Sequence, residues 1–229
     1  MSSFLDMSLM NRILRAPADV AADCRDDRDS SAVAKNALVA IVLCSVLFGA
    51  AVGSWQGGLQ ILLAAGKLPV VMLGTLVICA PAFYAVSAVF HRPWSARSVL
   101  SLMLVAGARF ALVLLAATPA IWLAINLGAS YDLSKLVAAV AYAIAGLSAL
   151  ALLLHGLGDG PGTRPTVALF IGIFLLVGAQ TSWMLRPYIG TPGLTEVVYF
   201  TRDREGGLVY QLWKSAERVV TGHHDGERP

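Results

Sequence analysis

Residues 36–55, NALVAIVLCSVLFGAAVGSW, are twenty consecutive positions without one charged side chain. The hydrocarbon core of a bilayer is about 30 Å thick and an α-helix rises about 1.5 Å per residue, so roughly 20 apolar residues make a crossing. A helix on the surface of a water-soluble domain would carry a polar face over that length. No face of this stretch is charged, so its natural surroundings are hydrocarbon.

Four further stretches follow the same pattern, over residues 68–90, 99–127, 136–157 and 166–185. The connections between spans are short and rich in helix breakers, such as Gln56-Gly57-Gly58 and Gly158-Asp159-Gly160-Pro161-Gly162. Connections this short make successive helices antiparallel. The expectation is an all-α polytopic bundle of about five transmembrane helices over residues 35–186. A polar leader (1–34) precedes it and an extramembrane or interfacial tail (187–229) follows. The apolar piece 58–66 is too short to span and reads either as a re-entrant segment or as an extension of the second helix.

Composition agrees. Of the 229 residues, 57% are hydrophobic and 14% charged, against roughly a quarter charged in soluble domains. Charges this sparse do not cover a water-facing surface of that size. The net charge of +3 comes without the basic clustering a nucleic-acid binder needs. Cys24, Cys44 and Cys79 fit neither a disulfide framework nor a zinc site, and no metal or cofactor is expected. The leader is not a secretory signal, because Asp19, Asp23, Asp26, Asp27 and Asp29 precede any long apolar run.

Within the leader, residues 7–15 (MSLMNRILR) fit a short amphipathic helix on the membrane face, with Pro17 opening another turn. They equally fit a soluble lead-in. Basic residues set the orientation. With the N-terminus in the cytoplasm, that side holds eight: Arg12, Arg15, Arg25, Arg28, Lys35, Arg92, Arg97 and Arg164. The opposite loops hold Lys67 and Lys135, although five crossings also place six basic residues of the tail outside. Helical spans point to a bacterial inner membrane rather than an outer-membrane barrel. In the tail, residues 197–200 (VVYF) read as a short strand. Residues 207–214 carry apolar side chains at helical spacing, with Trp213 suited to the interface.

Several residues invite a functional reading. Gly49, Gly53 and Gly57 make two consecutive G-x-x-x-G steps, where a missing side chain lets another backbone approach, within the bundle or between protomers. Pro81 and Pro119 lie inside the second and third spans and each frees a carbonyl one turn earlier, kinking its helix. Such kinks line pathways in some transporters and are ordinary in membrane helices. Arg109 is a charge in the third run, and no Asp or Glu lies within any of the five spans to pair with it. It faces a cavity, a freed carbonyl, a lipid phosphate or another subunit, or it snorkels to the cytoplasmic surface. His155 closes the fourth span, and Gln180 in the fifth suits a bond across helices. Trp183, Arg186, Pro187 and Tyr188 close the last helix as an interfacial anchor or a docking surface for a partner.

The leader piece Arg12-Ile13-Leu14-Arg15-Ala16-Pro17, followed by five small-residue-rich spans over roughly residues 8 to 185, resembles the Yip1-like membrane proteins. The ending Trp183 to Pro192 is similar to that of bacterial membrane proteins with a W-x-L-R-P-aromatic-x-G-x-P motif. The resemblance implies a five-span bundle. Eukaryotic Yip1-like proteins act with small GTPases in vesicle traffic, but no residue here carries that role over, and the structured tail departs from their pattern.

A non-catalytic membrane subunit or scaffold explains the small residues and the lack of intramembrane acids. It would meet a membrane-protein partner, or a second copy, through the tail or the glycine seam. A small transporter or channel component is the alternative and needs a polar pathway. An intramembrane protease is disfavoured, since the spans carry no Asp and His155 has no evident serine partner.

Overall fold

The computed structural model describes residues 6–26, 30–55, 58–89, 95–157 and 163–184, together with Glu217. Seven helices follow one another: α1 (Met7–Arg15), α2 (Pro17–Arg25), α3 (Ser30–Gly53), α4 (Leu59–Val89), α5 (Ala96–Asn126), α6 (Tyr131–Leu157) and α7 (Thr163–Met184). The molecule is an all-α bundle of membrane type. Four helices are long and apolar enough to cross a bilayer, in α3 over Ser31–Gly53, α4, α5, and α6 over Asp132–Leu157. The fifth stretch forms α7, 22 residues long, with the apolar portion Pro165–Val177. In hydrocarbon a backbone satisfies its hydrogen bonds internally or not at all, which is why these runs are helices.

The caps follow local chemistry. Asp6 accepts the backbone N–H groups of Ser8 at 2.9 Å and Leu9 at 3.4 Å, starting α1. Ser95 accepts the N–H of Ser98 at 3.0 Å, starting α5. Gly128, with φ of +91°, turns the chain after α5.

Packing only partly follows chain order. α3 lies against α4 and α5, α6 against α5, and α7 against α4. The α3–α4 pair is antiparallel, Gly49 facing Ala64 and Gly53 facing Gln60. So is the α5–α6 pair, with Gly156 against Leu102 and Arg109 against Ser148. Rings join more distant helices: Phe48 meets Tyr142 edge-on at 5.6 Å, and Phe83 meets Phe170 at 4.2 Å. One core cluster, around Phe48, Trp55, Leu114 and Ile125, fills the end of the bundle remote from the N-terminus.

The other cluster holds a surprise. Leu9, Met10, Ile13, Val20, Ala21 and Cys24 are buried in it with Val99, Leu102, Met103 and Leu152. The leader is thus a helical hairpin packed into the bundle, α2 lying between α5 and α6. Its helix is amphipathic as the sequence suggests, but the apolar face meets protein instead of lipid or water. The leader and the bundle share one core. The segment 58–66, left open between two readings, is continuous with α4 and lengthens the second helix by about two turns.

Gly57, Arg186, Pro187, Tyr188, the expected strand over 197–200 and Trp213 lie outside the described residues. For Gln180 and Trp183 only the helical backbone of α7 is described.

Candidate functional site

Arg109 organises the polar interior. It stands 13 residues into α5, about 20 Å from the helix start at 1.5 Å per residue. Its Nε donates to Ser148 Oγ of α6 at 2.7 Å, and its Nη1 donates to the carbonyl oxygen of Ile13 in α1 at 2.9 Å.

The acceptor is there for a covalent reason. In a continuous helix the Ile13 carbonyl would accept from the N–H four residues on. That residue is Pro17, which has no N–H. The neighbouring Arg12 carbonyl, by contrast, accepts from Ala16 N–H at 2.8 Å. Proline therefore orphans one buried carbonyl at the C-terminal, electronegative end of α1, and the guanidinium supplies both the donor and the positive charge that position favours. Of the readings open for Arg109, the freed carbonyl is the one observed. It is freed by Pro17 in the leader, not by Pro81 or Pro119 in the spans.

Other links fix the hairpin around that point. Arg12 and Asp23 form an ion pair between α1 and α2. The Asp6 N–H donates to Asn36 Oδ1 of α3 at 3.2 Å, and Ser98 Oγ of α5 donates to the Arg25 carbonyl at 3.4 Å. The hairpin begins on α3, reaches its tip at Arg109 and returns to the start of α5.

The first glycine step, Gly49 and Gly53, forms a seam inside the bundle. A Cβ on Gly49 would come 2.5 Å from the Ala64 carbonyl oxygen, and one on Gly53 would come 2.8 Å from that of Gln60. Pro81 and Pro119 sit on exposed positions of α4 and α5. A further proline, Pro69, falls inside α4 because that helix starts nine residues before the expected span, and it is buried. His155 is exposed, with Nδ1 2.6 Å from its own helix's Ala151 carbonyl oxygen. Hydroxyls in the spans turn back to their own backbones, as Thr75 does to Val71 at 2.8 Å and Thr118 to Leu114 at 3.1 Å.

Reading the sequence misses a polar group at the far end. Asp132 is 2% exposed and pairs with Lys135 at 3.0 Å. The signal is present: Ser130 caps α6, accepting from Leu133 N–H at 3.3 Å, so the helix starts at Tyr131 and takes Asp132 into its first turn. Nearby, Trp55 Nε1 donates to the Ala129 carbonyl at 3.4 Å. Among the described residues, no group of three His, Cys, Asp or Glu side chains could hold a metal ion.

Fold and site together define a multi-pass helical bundle of membrane type whose N-terminal hairpin is pinned by an intrahelical arginine. Set against known proteins, the chain matches no family model, no curated protein and no solved structure.

Proposed function

We propose that this chain is a non-catalytic subunit or scaffold of a larger membrane assembly. In this reading it sits in a bacterial inner membrane with its N-terminus in the cytoplasm and α7 as the fifth crossing. One observation carries the reading: Arg109, the charge lying deepest in a span, is engaged in holding the chain's own helices together. The hydroxyls of Ser45, Thr75 and Thr118 are likewise bonded to backbone of their own helices. Polar groups spent on architecture leave little to line a solute path, which a transporter component would need.

Purification from native membranes in mild detergent tests it. Stoichiometric co-purifying membrane subunits are the expected result. A lone protein that carries ions or solutes across liposomes overturns the reading in favour of transport.

A further inference from the structure

We infer that the α1–α2 hairpin is a releasable strap and that Arg109 is its latch. The hairpin docks between α5 and α6 in one position and lies on the membrane surface in the other.

The hairpin meets the shared core through a single face. Its apolar side chains lie on one face, with Leu9, Met10, Ile13, Val20, Ala21 and Cys24 buried, while Asn11, Arg12, Arg15 and Asp19 are exposed. The Arg12–Asp23 pair closes it upon itself and needs nothing from the bundle. Among the described residues, the bonds that tie it to the other helices include two neutral ones near its ends, at Asp6 and Arg25. Another, from Arg109 to the carbonyl that Pro17 leaves without a donor, lies at the tip and has a charged donor.

Both partners tolerate release. An amphipathic helix whose apolar face leaves a protein groove is accepted at a headgroup boundary, where that face enters the acyl region. Met7 and Leu14, both exposed in the docked state, extend that face. α5 has 31 residues, more than the roughly 20 a crossing requires, so its first turns reach beyond the hydrocarbon. Freed from Ile13, the guanidinium of Arg109 keeps Ser148 and turns to headgroup phosphate. The carbonyl and the phosphate are alternative acceptors for one donor, which is how a latch works.

Cys24 reports the position directly. Its side chain is 1% exposed in the docked state, on the face of α2 that meets the bundle. The test uses the full chain with Cys44→Ala and Cys79→Ala, reconstituted in phosphatidylcholine nanodiscs. Cys24 is followed by mass spectrometry as a maleimide reacts with it. The parent is expected to label slowly but to completion, at least tenfold slower than the same chain in SDS. Arg109→Gln is expected to raise the rate roughly tenfold or more, the scale for losing a hydrogen bond from a charged donor. Ser148→Ala keeps the charge, removes the hydroxyl that aims it, and is expected to give a smaller increase, so the test survives if Arg109→Gln fails to fold. Parental labelling as fast as in SDS overturns docking, labelling that never proceeds overturns release, and unchanged rates in both variants overturn the latch. None of these outcomes depends on whether partner subunits co-purify, so the strap and the scaffold stand or fall separately.

Discussion

At Gly49 and Gly53 the missing Cβ is what lets α3 and α4 touch, since the atoms in the way are backbone or the Ala64 Cβ and cannot swing aside. Gly49→Leu is expected to lower stability by about 1–3 kcal/mol, the usual cost of forcing atoms into a packed site. Gly66→Ala and Gly74→Ala meet nothing within 4 Å and are expected to be neutral or slightly stabilising. Thermal unfolding midpoints in one detergent separate the two outcomes. The seam was legible because glycines four apart share a helix face. Its partner was not, since Ala64 lies in a segment whose helical status the sequence left open. A second prediction concerns acidity at Cys24. Burial, reinforced by the neighbouring Asp23 charge, pushes this thiol from 9.0 up to about 11. The docked hairpin keeps the proton while a released thiol loses it at its ordinary value. Docking is therefore undiminished below pH 9 and weakens as pH rises towards 11. Labelling rates of Cys24, corrected for thiolate fraction, should climb across that window. Asp6 works in the opposite sense. Hydrogen bonds from Ser8 and Leu9 hold its carboxyl below the ordinary 3.8, so its cap is intact above that value and fails as pH falls beneath it.

On the scale of helices, run length and breakers made α3 to α7 readable, because lipid leaves a chain few alternatives to helix. What stayed hidden depends on partners far away in sequence. The amphipathic pattern of residues 7–15 is the same whether the apolar face meets lipid, water-excluding protein or a partner. Arg109 and Ile13 are 96 positions apart, and nothing local joins them. A clue did exist in Pro17, whose absent N–H requires a donor from elsewhere for the Ile13 carbonyl. Replacing it tests that account. Pro17→Ala restores an N–H at residue 17 and permits α1 to run into α2, so the carbonyl gains an intrahelical donor and Arg109 loses its acceptor. Faster maleimide modification of Cys24 is the expected outcome, with helix content by circular dichroism unchanged or higher. A rate equal to the parent's would show that the bend at Ala16 does not depend on proline.

Taken whole, the molecule is asymmetric end to end. The hairpin and its core cluster occupy one end, while Trp55, Ala129, Asp132 and Lys135 mark the other. Five crossings would place residues beyond α7 on the side opposite the hairpin. A reporter fused at Gly222 should then signal from outside the cytoplasm, and a cytoplasmic signal rejects five crossings with the N-terminus inside. Exposed Leu47, Leu62, Val77, Leu147 and Leu175 give four of the bundle's helices outward apolar side chains that hydrocarbon would cover. The protein should accordingly stay in the pellet after alkaline carbonate washing of membranes.

The docking of residues 6–26 has a consequence for how the chain is made. Translation delivers the hairpin before its berth, which is walled by α5 and α6, and Ser148 leaves the ribosome more than a hundred residues after the hairpin. Until then the hairpin has no home, and a polypeptide stalled after α4 would carry its apolar face uncovered. The hairpin is made before the helices that receive it.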